Sequence, residues 1–150
     1  MGMNVIVAEH KHANNVRQGF LPFREAVRRA TIIVLAAPLT RETRHLISTP
    51  EFEMMDDTAI LVNVSRGGVV DEVALATALQ QGTIAGAATD VFSHEPATKG
   101  NSVLLERDIP NLILSPHIAW YSSKTLLGTI DTLKKNIEGF VCGRLENIVV

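Results

Sequence analysis

The run from Ala59 to Asp90 constrains this chain more than any other. It reads as an apolar strand, a turn with two glycines, a helix, and a second strand rich in alanine and glycine. Gly67 and Gly68 can take backbone angles that other residues resist. Asp71 is placed to cap a helix over Asp71–Gln81, accepting bonds from its unpaired N–H groups. Ala74, Leu75, Ala78 and Leu79 fall on one face of that helix, and Gly82 ends it. Two apolar strands joined through a helix lie parallel, so the run specifies one unit of a parallel sheet.

The same alternation extends in both directions. Asn4–Ala8 reads as a buried strand, and Pro22 starts a helix over Phe23–Arg29. Thr31–Ala37 is an apolar strand ended by Pro38. Ser48 and Glu51 form a capping-box pattern for a short helix reaching about Met55. Ala59–Val64, Thr83–Asp90 and Leu112–Leu114 are further strands, with Ala97–Asp108 as the longest loop. Ser122–Val141 is a long helix whose Leu126, Ile130, Leu133, Ile137 and Phe140 make one apolar stripe. The expected fold is α/β, a mostly parallel sheet with crossovers.

Composition fits one such domain. The chain has 150 residues, 46% of them hydrophobic, which supports a buried core. A net charge of −2 gives no electrostatic case for nucleic acid or an anionic membrane. No apolar run approaches the roughly 20 residues that cross a bilayer. Cys142 is the single cysteine and has no internal disulfide partner. These features lead us to expect a cytoplasmic protein.

Three motifs carry the chemistry. NVSRGGVVDE spans Asn63–Glu72, DVFSHEP spans Asp90–Pro96, and SPHIAW spans Ser115–Trp120. Each follows a strand, and in open α/β sheets ligands bind outside the strands' carboxyl ends. Arg66 offers a planar fork that matches a carboxylate, although an arginine there also fits a surface ion pair. His117 can pass a proton near neutral pH. Glu95, bonded to its other ring nitrogen, favours the imidazolium and fixes its orientation. Glu9 ends the first strand, where a nucleotide-binding sheet places an acid for ribose hydroxyls. A solvated strand-end charge is the plainer alternative. His10 and His12 have no third ligand at a supporting spacing, so no metal site is expected. Trp120 and Tyr121 fit either a substrate-pocket wall or the core.

At these residues the chain resembles the D-isomer-specific 2-hydroxyacid dehydrogenases, in their NAD-binding domain. The glycerate dehydrogenase/hydroxypyruvate reductase branch is the most similar. GMNVIVAEHK, APLTRETRHLI, NVSRGGVVDE, GAATDVFSHEP and NLILSPHIAW carry the resemblance, in the family's order and over nearly the whole chain. It implies a Rossmann-like doubly wound sheet and an oxidoreductase of small anionic 2-hydroxy or 2-keto acids using NAD. It further implies that Arg66 binds the substrate carboxylate and polarises the carbonyl. His117 is then the acid/base and Glu95 its partner. Cofactor contacts are implied at Glu9, Pro38, Val64, Ser65, Arg66, Asp90, His117 and Ala119, with Asp90 bonding the nicotinamide amide. Taken alone, Asp90 also reads as a turn-starting aspartate.

One departure shapes the remaining expectations. The family's Gly-rich GxGxxG turn precedes the GMNVIV strand, and no GxGxxG occurs in these residues. That turn cradles a pyrophosphate on a helix N-terminus. We therefore expect a partial Rossmann-like sheet missing its first βα unit. Residues 1–143 form an NAD-binding-domain-like fragment, and 144–150 a tail. Cofactor binding is expected to be weak, and exposed apolar surface to favour a homo-oligomer. Two other functions stay open: cofactor-independent acid/base chemistry on an anionic substrate, and a non-catalytic dimerising module.

Overall fold

The computed structural model describes residues 2–106 and 108–148. They form two compact units, Met1–His117 and Ile118–Val150. The first unit contains β1 (Val7–Ala8), β2 (Phe20–Leu21), α1 (Phe23–Arg29), β3 (Ile32–Leu35), α2 (Thr49–Phe52) and β4 (Ile60–Asn63). It continues with α3 (Glu72–Gln80), β5 (Gly86–Thr89), α4 (Val103–Glu106) and β6 (Leu112–Leu114). The second contains α5 (Ser123–Val141).

Four strands make one parallel sheet in the order β3-β4-β5-β6, and β1 pairs with β2, also parallel, as a separate ribbon. The register decides where chemistry can gather. Leu35 pairs with Asn63, Asn63 with Thr89, and Thr89 with Leu114. The four strands thus end level, and the segments that follow them leave from one edge.

Strand order equals chain order, so right-handed crossovers place the connecting helices on one face of the sheet. Leu35, Leu61 and Ala87 point to that face. They share a core with Ile47, Phe52, Leu75, Ala78 and Leu79. On the other face Ile32, Val34, Ile60 and Ile113 are 42–70% exposed. Two caps organise the core side. Asp71 Oδ1 accepts from the Val73 and Ala74 N–H groups at 3.1 and 3.2 Å, starting α3. Glu51 accepts from the Ser48 N–H at 3.1 Å, and the Ser48 hydroxyl donates to Asp71 at 3.1 Å, tying α2 to α3.

Several expectations need correction. Asn4–Ala8 is not a buried strand. Only Val7–Ala8 pairs, and residues 4, 5, 7 and 8 are exposed. Their apolar composition suits packing on both sides, but the ribbon's single partner strand is the two-residue β2. Ala97–Asp108 is not all loop. Ser102, almost wholly buried, accepts from the Leu104 N–H at 3.3 Å and opens α4, a helix too short to show a period. Trp120 and Tyr121 are not core residues. Both are exposed and meet edge to face at 5.5 Å. The α5 stripe exists as a stripe but is exposed, from 40% at Leu126 to 74% at Phe140.

Candidate active site

The loop after β4 is built from its first residue. Asn63 is buried, and its Oδ1 accepts from both the Ser65 N–H at 3.1 Å and the Ser65 hydroxyl at 2.8 Å. Its Nδ2 donates to the Arg66 carbonyl at 3.3 Å. One side chain thereby folds residues 63–66 into a fixed arch and lifts Arg66 into solvent. The Arg66 guanidinium donates to the Ser65 carbonyl at 2.8 Å, which orients it further. Gly67 explains how the arch reaches the next segment. A Cβ built there would stand 1.8 Å from the Phe92 carbonyl oxygen, so only glycine allows the two backbones to approach.

The segment after β5 supplies Glu95. Its Oε1 accepts from the Phe92 N–H at 3.0 Å, and its Oε2 lies 2.7 Å from His117 Nδ1. Burial pushes the Glu95 carboxyl up. The bonds from His117 and Phe92, with the charges of His117 and Arg66, outweigh it and hold the group below the ordinary carboxylate range. His117 itself sits at φ 56°, in the left-handed region. Such a position costs about 1 kcal/mol or more in a residue with a Cβ, and such strain gathers at functional sites. Arg66, Glu95 and His117, drawn from three separate motifs, are therefore brought to one edge.

Two cavities flank this edge. A crevice of about 530 Å³ is lined by Ala36, Ala37, Pro38, Leu39, Val64, Ser65 and Arg66. It gathers four of the residues proposed for the cofactor at the carboxyl ends of β3 and β4. A groove of about 630 Å³ borders Glu95 and His117 and is walled chiefly by Phe92, Ala97, Leu105, Leu114 and Pro116. Asp90 is buried at the end of β5, where its carboxylate accepts from the Ser115 hydroxyl. Ala119 falls in the second unit.

Glu9 stands apart, at the end of β1. It is not a solvated charge: it is buried, and both oxygens are engaged. Oε2 accepts from Arg17 Nε at 2.8 Å and the Arg17 N–H at 3.1 Å. Oε1 accepts from Arg17 Nη2 at 2.7 Å and the His10 N–H at 2.9 Å. The Arg17 side chain first, then these two backbone groups, bring its pKa down to about 2.

Reasoning from sequence missed Asn63, Ser115, Arg17 and Glu72. The first had a signal, since asparagine side chains bond backbone two residues on and favour turns. Glu72 accepts from the Ser93 N–H at 2.6 Å and the Ser102 hydroxyl at 2.8 Å. Nothing in its spacing announces partners 21 and 30 residues away.

The described residues thus form a parallel α/β sheet with a histidine–carboxylate pair and an arginine at its carboxyl edge, where open sheets of this kind bind ligands. Similarity to known proteins makes the class specific. The model of the family "D-isomer specific 2-hydroxyacid dehydrogenase, NAD binding domain" matches residues 1–119, and the chain belongs to that family. It is 42% identical over 142 residues to a putative 2-hydroxyacid dehydrogenase of Haemophilus influenzae, covering 94% of this chain and 45% of the relative. It is 41% identical over 133 residues to a glycerate dehydrogenase of Methylorubrum extorquens, covering 89% and 42%. The NAD-complexed D-isomer specific 2-hydroxyacid dehydrogenase of Lactobacillus delbrueckii ssp. bulgaricus superposes with a TM-score of 0.76 at 27% identity. That match covers 87% of this chain and 43% of that one. The chain thus spans less than half the length of these relatives.

Proposed function

We propose that this chain carries the acid/base and carboxylate-binding half of an NAD-dependent oxidoreductase acting on small 2-hydroxy or 2-keto acids. The observation that carries the reading is the 2.7 Å bond from His117 Nδ1 to Glu95 beside the Arg66 arch. Arg66 grips the substrate carboxylate with two parallel N–H bonds and draws electron density from the adjacent carbonyl. In the reducing direction His117 Nε2 delivers a proton to the carbonyl oxygen. Glu95 stabilises the imidazolium before transfer and keeps the ring turned so that Nε2 is the exchanging nitrogen.

We assign part of a dinucleotide to the crevice lined by Pro38, Val64, Ser65 and Arg66, with Asp90 as the acceptor for its amide. NAD, when bound there, supplies or takes up the hydride. At Glu9 the ribose hydroxyls would replace N–H groups of Arg17, since each carboxylate oxygen already accepts two bonds. We assign these roles to residues 1–143 and treat 144–150 as a tail. The exposed apolar residues of the sheet and of α5 support a homo-oligomer. Among the described residues no helix is long and apolar enough to cross a membrane, and a cytoplasmic location fits the composition.

Reduction of glyoxylate and of hydroxypyruvate by NADH, followed through the nicotinamide absorbance, tests the reading. His117→Ala is expected to lower turnover about 10²–10⁴-fold, the usual contribution of a positioned acid. Arg66→Lys is expected chiefly to raise KM, because a point charge replaces a fork. Equal turnover in the wild type and His117→Ala would overturn the assignment.

A further inference from the structure

We propose that Glu72 is a positioning residue for the Glu95–His117 pair. The inference rests on the proposed role of that pair and adds the brace that holds it. Glu72 is the first residue of α3, directly behind the Asp71 cap. Its side chain turns away from its own helix. Oε1 accepts the Ser93 N–H at 2.6 Å and Oε2 the Ser102 hydroxyl at 2.8 Å.

Those two partners bracket Glu95. Ser93 lies two residues before it, next to Phe92, whose own N–H holds Glu95 Oε1. Ser102 is 2% exposed, opens α4, and follows Glu95 by seven residues. One carboxylate therefore pins both ends of the segment that presents Glu95. The same seam contains the close approach of Gly67 to the Phe92 carbonyl. The Arg66 arch, α3 and the Glu95 segment are thereby locked edge to edge. With Glu72 cut back, the Ser93 N–H loses its partner. The segment is then free to swing, and the 2.7 Å bond to His117 lengthens.

The test reads the bond itself, through the NMR resonance of the His117 Nδ1–H in the full chain, which lies downfield while that hydrogen is held by the Glu95 carboxylate. Glu95 faces His117 directly, and Arg66 acts through its charge on Glu95. Glu95→Gln is the reference and should move this resonance upfield, because a neutral amide oxygen accepts more weakly than a carboxylate. Glu72→Ala should move it in the same direction by less, as the carboxylate drifts from the ring. Glu72→Gln should restore the wild-type position. Its amide oxygen accepts from Ser93 and its NH2 donates to the Ser102 hydroxyl oxygen, so the brace is rebuilt without charge. Ser102→Ala cuts one leg only and should give a smaller shift of the same sign, whether or not Glu72→Ala stays folded. If Glu95→Gln shifts the resonance while Glu72→Ala and Ser102→Ala leave it in place, the positioning role is wrong and the pair stands. If Glu72→Gln behaves like Glu72→Ala, the effect is one of charge and the brace is refuted. If Glu95→Gln itself shifts nothing, the reading of the pair fails first.

Discussion

At the scale of single residues, Glu95 and Glu9 have lowered pKa values for different reasons. Glu95 has one bond to His117 and one to backbone, whereas Glu9 is held on four sides by Arg17 and His10. For Glu9 the sign is fixed. Its pKa falls on folding from the ordinary 4.5 to about 2, so its stabilisation is complete above the ordinary value. It is lost as pH falls through the folded value. Arg17→Met removes the largest cause, and carboxyl-carbon NMR should then find Glu9 titrating nearer 4.5. A midpoint still near about 2 would show that the backbone N–H groups suffice alone. Asn63 makes a second residue-scale case. Asn63→Ala leaves the buried Ser65 hydroxyl unpaired, which costs about 1–3 kcal/mol in denaturant unfolding. No loss of stability would mean that the arch keeps its shape without the side chain. Arg66, Glu95 and His117 could be singled out in the sequence because their residue types announce chemistry and each follows an apolar strand. The supports were not, since a serine or glutamate that braces a loop looks like any surface polar residue until its partner is known.

At the scale of elements, the caps and glycines set the geometry. Asp71 starts α3 and also receives the Ser48 hydroxyl, so Asp71→Ala should cost about 0.5–2 kcal/mol, measurable as a lower denaturant midpoint. An unchanged midpoint would show that α3 is held by packing alone. Gly67→Ala should do more than relax a turn. Its methyl would meet the Phe92 carbonyl at 1.8 Å, and the resulting strain should lower the melting temperature and separate Arg66 from Glu95. The helix end at Gly143 follows a known pattern. Arg144 N–H bonds the Gly139 carbonyl at 2.7 Å and Gly143 N–H the Phe140 carbonyl at 3.2 Å, with Gly143 at φ 70°. Sequence read α1, α3 and β6 within a residue because Pro22, Asp71 and Gly82 mark their ends and Leu112–Leu114 is bounded by polar neighbours. It overextended β1. A strand's composition records the surroundings it suits, whereas its ladder extends only as far as a neighbouring strand offers partners, and here β2 offers two residues. The β2 ribbon strand escaped notice because Phe20–Leu21 is too short for any period.

At the scale of the whole molecule, the level register of β3, β4, β5 and β6 brings three motifs to one edge. Arg66, Glu95 and His117 are spread over 52 positions of sequence, yet each follows a strand that ends on the same edge. The parallel α/β order was legible from alternation alone, because a parallel return needs a crossover. The separation of the β1–β2 ribbon from the four-stranded sheet was not, since pairing between strands of similar composition leaves no mark in either one. Apolar residues exposed on the sheet and on α5 predict association. Light scattering should find a mass above 16.3 kDa, and a constant 16.3 kDa across concentration would contradict it. The site itself is tested most directly by titrating isotope-labelled chain with glyoxylate while observing the Arg66 Nε–H and the His117 ring together. Saturable shifts at both, weakened in Arg66→Lys, are the expected result. Shifts at neither residue, or binding that Arg66→Lys leaves unchanged, would contradict an anion-binding acid/base site at this edge.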